Sequence, residues 1–168
     1  KEPKQSYDFE KAPTDLNILY EDENVILLDK KPGILVHQDE SYHFDSLVSR
    51  LQHYLYKKGE YNPKDENSFS PALANRIDRN TGGIVIGAKN AESLRILNEK
   101  IKNREIKKFY LCLVFGKLKR KSALLQDYLV KDEKKNKVTV FRNEMPNSKI
   151  IKTKYTVLDE NEKFSLLE

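Results

Sequence analysis

The chain has a single cysteine, no tryptophan and no run of about 18 consecutive apolar residues. With Cys112 alone, no internal disulfide can form, and a reducing compartment, the cytoplasm, is expected. Cys112 sits within the apolar FYLCLVF and reads as a packed side chain rather than a reactive thiol. No membrane span is expected, and the opening KEPKQSYDFEKA is polar throughout, without a secretory pattern. The three histidines, His37, His43 and His53, are not spaced as metal ligands, and no acidic run has the EF-hand pattern, so no metal is expected. Gly82–Gly83 is not part of a GxGxxG motif, and neither GxxxxGK[ST] nor GxSxG occurs. Phosphate-cradle nucleotide enzymes and serine hydrolases built on a nucleophile elbow therefore drop out.

What is present describes a folded domain. Over 168 residues, 38% are hydrophobic, enough for a real core. The charge is unevenly placed. Between Lys100 and Lys121 stand nine basic residues and one acid, Glu105, a local net of +8 in a chain whose total is +5. A field of one sign suits a polyanion such as nucleic acid, although a lysine-rich solvated face has the same composition.

Local pattern divides the chain into short strands and two helices. Residues 1–15, with Pro3 and Pro13, read as a polar lead or linker. LNILYEDENVILLDKKPG reads as a hairpin, with strands near 17–21 and 24–29 around Asp22, Glu23 and Asn24. Residues 45–58 read as a helix capped by Asp45 or Ser46, with Leu47, Leu51, Tyr54 and Leu55 on one face and Gly59 as its stop. A polar loop over 59–71 follows. After a strand at 84–88, Asn90 caps a second helix over 91–104 that presents Leu94, Leu97 and Ile101. KKFYLCLVFG at 107–116 has period two, which sets Phe109, Leu111, Leu113 and Phe115 against a core and Tyr110, Cys112 and Val114 on the opposite side. A short apolar piece at 123–130 and the strand-like NKVTVFR and SKIIKTKYTVL complete the pattern. Strands outnumber helices and most are joined by short turns. The expected fold is α+β, a mixed but mostly antiparallel sheet with flanking helices and loops.

One stretch carries chemistry. In NRIDRNTGGIVIGA the alternation puts Arg76 and Asp78 on one side and Ile77 on the other, and Thr81, Gly82 and Gly83 bend the backbone ahead of the strand. Asp78 is either a turn residue braced by its flanking arginines or a reacting group. An ordinary carboxylate is ionised at neutral pH, so it serves as nucleophile or base rather than as proton donor.

The order of motifs resembles the RluA-type pseudouridine synthases, in particular their RluC-like ribosomal large subunit branch. That family's signature, His-Arg-Leu-Asp-x-x-Thr-Ser-Gly, stands here as Asn75-Arg76-Ile77-Asp78-Arg79-Asn80-Thr81-Gly82-Gly83. The opening hairpin with Lys31-Pro32-Gly33 is similar to the family's, and Lys108-Phe109-Tyr110 matches its Lys-x-Tyr. The resemblance runs from about residue 16 onward and implies a pseudouridine synthase fold over 16–168, working as a monomer without cofactor or metal. Asp78 would be the catalytic aspartate that attacks or deprotonates the target nucleotide while uracil detaches, turns and rejoins through C5. Tyr110 would stack on that uracil, and Arg76 would fill the gap left by the flipped uridine. Arg79, Lys31, Lys107 and Lys108 would contact RNA, expected to be large-subunit ribosomal RNA. The competing class is a non-catalytic RNA-binding protein with the same fold.

Three positions depart from the signature: Asn75 for histidine, Ile77 for leucine and Gly82 for serine. The family also continues beyond a strand like KFSLLE into a Thr-Gly-Arg and His-Gln-Ile-Arg motif whose arginine pairs with the aspartate. The 168 residues are therefore expected to be a piece of the catalytic domain, with the activity of that piece alone left open. An upstream S4 domain, frequent in this branch, is a further expectation.

Overall fold

The computed structural model describes residues 7–38, 44–65, 69–132 and 137–168, so His43 lies outside the described residues. The chain divides into two units, Lys1–Ile106 and Lys107–Glu168.

In the first unit, Asp22 Oδ1 accepts from the amides of Asn24 and Val25 and so turns the chain between Ile18–Glu21 (β1) and Val25–Lys30 (β2). Strand β2 alternates strictly, with Ile26, Leu28 and Lys30 inward. Helix α1, Leu47–Lys58, begins at Ser46, whose hydroxyl accepts from the Ser49 amide, and ends at Gly59 in the left-handed conformation at φ 78°. Asp45, the other candidate cap, instead holds Arg50 through two hydrogen bonds of 2.6 and 2.9 Å. Leu47, Leu51 and Leu55 are buried, as the periodicity requires.

Ala72–Leu73 (β3) and Gly83–Ala88 (β4) complete a four-stranded antiparallel sheet in the order β1-β2-β4-β3. Strand β2 runs against β4 from Val25 opposite Ala88 to Lys30 opposite Gly83. Asn90 caps Ala91–Lys102 (α2), which contacts β4 and half-buries Leu94, Leu97 and Ile101. Within the segment read as a polar lead, Asp8–Lys11 form a 3-10 turn. Phe9 is buried there beside Tyr56, Tyr61 and His53, and His53 Nδ1 donates to the Ala12 carbonyl at 2.7 Å. Phe9 thereby joins the hydrophobic core.

A closed ring of ion pairs ties β1, α1 and the end of β4 together. Lys58 and Lys89 each bridge Glu21 and Glu60, and the Tyr54 hydroxyl donates to Glu21. Burial pushes the Glu21 carboxyl up, but hydrogen bonds from Lys58, Lys89 and Tyr54 outweigh it and hold it down at about 2. A carboxyl depressed by folding stabilises above its unfolded value and loses that contribution as pH falls through the folded one. The stability difference between the unaltered protein and Glu21→Gln should therefore shrink between about pH 5 and pH 2. Thermal unfolding across that range checks this; a difference that stays constant would remove Glu21 from the acid response.

The second unit is a five-stranded antiparallel sheet: Cys112–Phe115 (β5), Ser122–Asp132 (β6), Lys137–Phe141 (β7), Lys149–Glu160 (β8) and Phe164–Leu167 (β9), in the order β5-β9-β8-β6-β7. The apolar piece at 123–130 is the middle of β6. The strand expected over 107–116 is shorter, because its ladder partner β9 offers only four residues, pairing Cys112 with Leu167 through Phe115 with Phe164. The face expected to meet a core does not do so. Phe109, Leu111, Leu113 and Phe115 are exposed, Phe115 at 88%. The opposite side is the one whose β9 residues, Ser165 and Leu167, are buried. Cys112, expected to be packed, is exposed at the start of this edge strand. Among the described residues every ladder within the two sheets is antiparallel, and an isolated parallel bridge joins Leu35 to Ser46.

Candidate active site

Asp78 stands on the loop between β3 and β4, and the local sequence explains how it gets there. Ala74 still donates its amide to the Ile86 carbonyl. At Asn75 the side-chain amide takes over from the backbone, accepting from the Ile86 amide at 2.8 Å and donating to the Ile84 carbonyl at 3.3 Å. That substitution lets the main chain leave the sheet edge without stranding the polar groups of β4. Ile77 is buried, which turns Arg76 and Asp78 to solvent as the alternation predicts. The Thr81 amide closes a turn on the Asp78 carbonyl at 3.1 Å. Gly83 then enters β4 at φ 135°, a conformation that favours glycine.

A second turn, residues 31–34, lies against the first. The Gly33 amide donates to the Arg79 carbonyl at 2.8 Å, and Arg79 Nε donates back to the Gly33 carbonyl at 3.1 Å. A Cβ at Gly82 would come within 3.2 Å of Pro32 Cδ, so the serine of the signature would fit only if Pro32 gave way slightly. Beneath both turns, the Lys30 ammonium donates to the carbonyls of Lys31, Ile34 and Arg79 at 3.1, 2.8 and 2.9 Å. Lys30 is 1% exposed.

Among the described residues the Asp78 carboxylate makes no hydrogen bond or ion pair, so it is not paired with either flanking arginine. Burial lowers the Lys30 pKa, and the Asp78 charge works against that. His37, at the end of the 31–38 segment, is lowered by burial and then by the Arg76 charge. The result is an exposed carboxylate on a two-turn platform rimmed by Lys31, Arg76 and Arg79. Such a group is free to approach a ligand, and the rim is basic.

The first unit thus brings together four of the residues singled out by the sequence: Lys31, Arg76, Asp78 and Arg79. The other three, Lys107, Lys108 and Tyr110, belong to the second unit, where they are exposed in the segment leading into β5. Two charges of the basic stretch are locally paired, Lys100 with Glu105 and Lys121 with Glu160. Sequence reasoning missed Lys30 in favour of Lys31. The available signal was parity, since VILLDK puts Lys30 on the same side as Ile26 and Leu28.

The model of the RNA pseudouridylate synthase family matches residues 24–168. An uncharacterized RNA pseudouridine synthase of Mycoplasma genitalium is 41% identical over 140 residues, covering 82% of this chain and 42% of that protein. Ribosomal large subunit pseudouridine synthase D of Borreliella burgdorferi is 31% identical over 151 residues, covering 89% and 45%. Among solved structures, human RNA pseudouridylate synthase domain containing 4 superposes with a TM-score of 0.69 at 18% identity, over 90% of this chain and 57% of that one. The chain belongs to the RNA pseudouridylate synthase family, and it spans a little under half the length of these two bacterial relatives.

Proposed function

We propose that the protein to which this chain belongs isomerises uridine to pseudouridine in large-subunit ribosomal RNA, with Asp78 as the reacting carboxylate. The observation that carries this reading is the Asp78 side chain itself. It is exposed and without a hydrogen bond or ion pair among the described residues, yet its turn is fixed from below by the Lys30 and Arg79 bonds. A residue that only braced a turn would be bonded within it. Support for the RNA class comes from the family, and the large-subunit assignment from the name of the Borreliella relative.

The reaction balances within one nucleotide. The C1′–N1 bond breaks, uracil turns, a C1′–C5 bond forms, the C5 proton leaves and N1 gains one. Asp78 serves it either by attacking the nucleotide or by removing a proton from it, and both roles need a carboxylate that can reach the nucleotide. Arg76, beside Asp78 on the exposed side, fills the space of the flipped uridine, whose extrusion costs a few kcal/mol. Lys31, Arg79, Lys107 and Lys108 hold phosphates, and Tyr110 stacks on the target base. The protein acts as a cytoplasmic monomer without metal or cofactor.

The test uses full-length protein and unmodified transcripts of large-subunit ribosomal RNA. Carbodiimide treatment followed by primer extension should show new stops at one or more uridines, with chelator present. No stop on any RNA tried, together with salt-sensitive binding, would replace this reading with that of a non-catalytic RNA-binding protein.

A further inference from the structure

We infer that Arg104, at the end of α2, is a further contact for the phosphate backbone of the RNA, kept there against the preference of its own main chain. This rests on the reading of the protein as one that acts on RNA.

Both helices end in the same hydrogen-bonded corner. At α1 the Glu60 amide donates to the Leu55 carbonyl at 2.9 Å and the Gly59 amide to the Tyr56 carbonyl at 3.1 Å. At α2 the Glu105 amide donates to the Lys100 carbonyl at 2.9 Å and the Arg104 amide to the Ile101 carbonyl at 3.1 Å. Such a corner needs one left-handed residue. In α1 it is Gly59 at φ 78°, in α2 it is Arg104 at φ 59°. The other described residues with positive φ are Gly33, Gly83, Gly116 and Asn147, the types that tolerate it. An arginine thus holds a place that glycine would fill with less strain. Packing gives no reason for it, since Arg104 is exposed.

Local charges give none either. Lys100 and Lys102 already stand in the last turn of α2, where cations meet the negative end of the helix. Glu105 is taken by Lys100 at 2.8 Å and by Asn103 at 3.4 Å, and Glu99 lies 3.7 Å from Arg95. Among the described residues the Arg104 guanidinium has neither a hydrogen bond nor an ion pair. Its donors are open to solvent at the start of the basic stretch Lys100–Lys121, and a planar fork of that kind matches phosphate oxygens.

The test compares Arg104→Gly, Arg104→Asn, Arg104→Lys and Arg95→Gln in the full-length protein, by filter binding to an unmodified large-subunit ribosomal RNA transcript. Arg104→Gly removes strain and charge together, so its denaturant midpoint should be the same or higher while its RNA affinity falls. At about 0.1 M salt the fall should be roughly five- to eightfold, the contribution of one released counterion, and it should fade as salt rises towards about 1 M. The single-turnover rate at saturating RNA should be unchanged. Arg104→Asn, which also accepts the left-handed conformation, should bind as weakly as Arg104→Gly, and Arg104→Lys should keep most of the affinity. Arg95→Gln removes an equal charge from the same helix and should cost less. Unchanged affinity in Arg104→Gly, or a loss matched by Arg95→Gln, would overturn the proposal. A lower midpoint in Arg104→Gly would make the arginine a helix cap and overturn it as well. If the unaltered protein binds RNA but forms no pseudouridine, the functional reading fails alone and the binding series still decides on Arg104. If it binds no RNA, both fall.

Discussion

Asp78→Asn in the full-length protein is expected to reduce pseudouridine formation by more than about a thousandfold, the scale seen when a reacting group is removed outright. The same variant should leave the fold in place. Asp78 is exposed and its carboxylate bonds to nothing among the described residues, so exchanging an oxygen for an amide nitrogen breaks no contact. A change of this kind on a surface lies within about 0.5 kcal/mol of neutral. RNA affinity should hold or rise slightly, because the substitution removes a negative charge from a rim carrying Lys31, Arg76 and Arg79. Single-turnover assays, filter binding and thermal unfolding on one preparation separate the three quantities. Residual activity near that of the unaltered protein would return Asp78 to the status of an ordinary turn residue.

Gly87→Ala is expected to be the most damaging single methyl group in the first unit. Gly87 lies opposite Ile26 across β2 and β4, under Leu51 of α1. A Cβ would sit 2.6 Å from Ile26 Cγ2 and 3.0 Å from Leu51 Cδ2. Neither neighbour can retreat: both are completely buried, and the branched Ile26 side chain has little rotamer freedom. Overpacking of this sort costs about 1–3 kcal/mol, and Gly87→Val should cost more. Denaturant titration should show a lower midpoint for Gly87→Ala than for Ile84→Ala, whose side chain on the same strand is exposed. Equal midpoints would mean that α1 and the sheet are not in contact there.

Much of the first unit was legible in the sequence because its signals are local. Ser46 and Asn90 announce helices by the bonds their side chains make to amides three residues on, and Gly59 ends one by a conformation that glycine tolerates. The hairpin at Asp22 and the outward placement of Asp78 follow from turn chemistry and from period two. What failed to show depends on partners far away in the chain. Alternation over 107–116 says which side chains share a face, but the length of β5 is set by β9, some fifty residues later. Nor does alternation say which face is buried, and here it is the side of Ser165 and Leu167. Lys30 was hidden for a similar reason. A lysine at a strand end ordinarily swings outward, and the carbonyls that draw it in come from the following turn and, with Arg79, from another loop. Phe9 went unnoticed because one aromatic in a polar stretch carries no period, and its pocket of Tyr56, Tyr61 and His53 is assembled elsewhere.

The acceptors beneath the Asp78 turn have a consequence for how such a site can diversify. All three atoms that receive the Lys30 protons are main-chain carbonyls, and every amino acid, proline included, supplies one. Positions 31 and 34 can therefore change identity without dismantling the support under the carboxylate, whereas Arg79 also lends its Nε to the Gly33 carbonyl. The rim that meets the ligand is free to drift toward a new target, while one lysine and the path of the backbone carry the geometry forward unchanged.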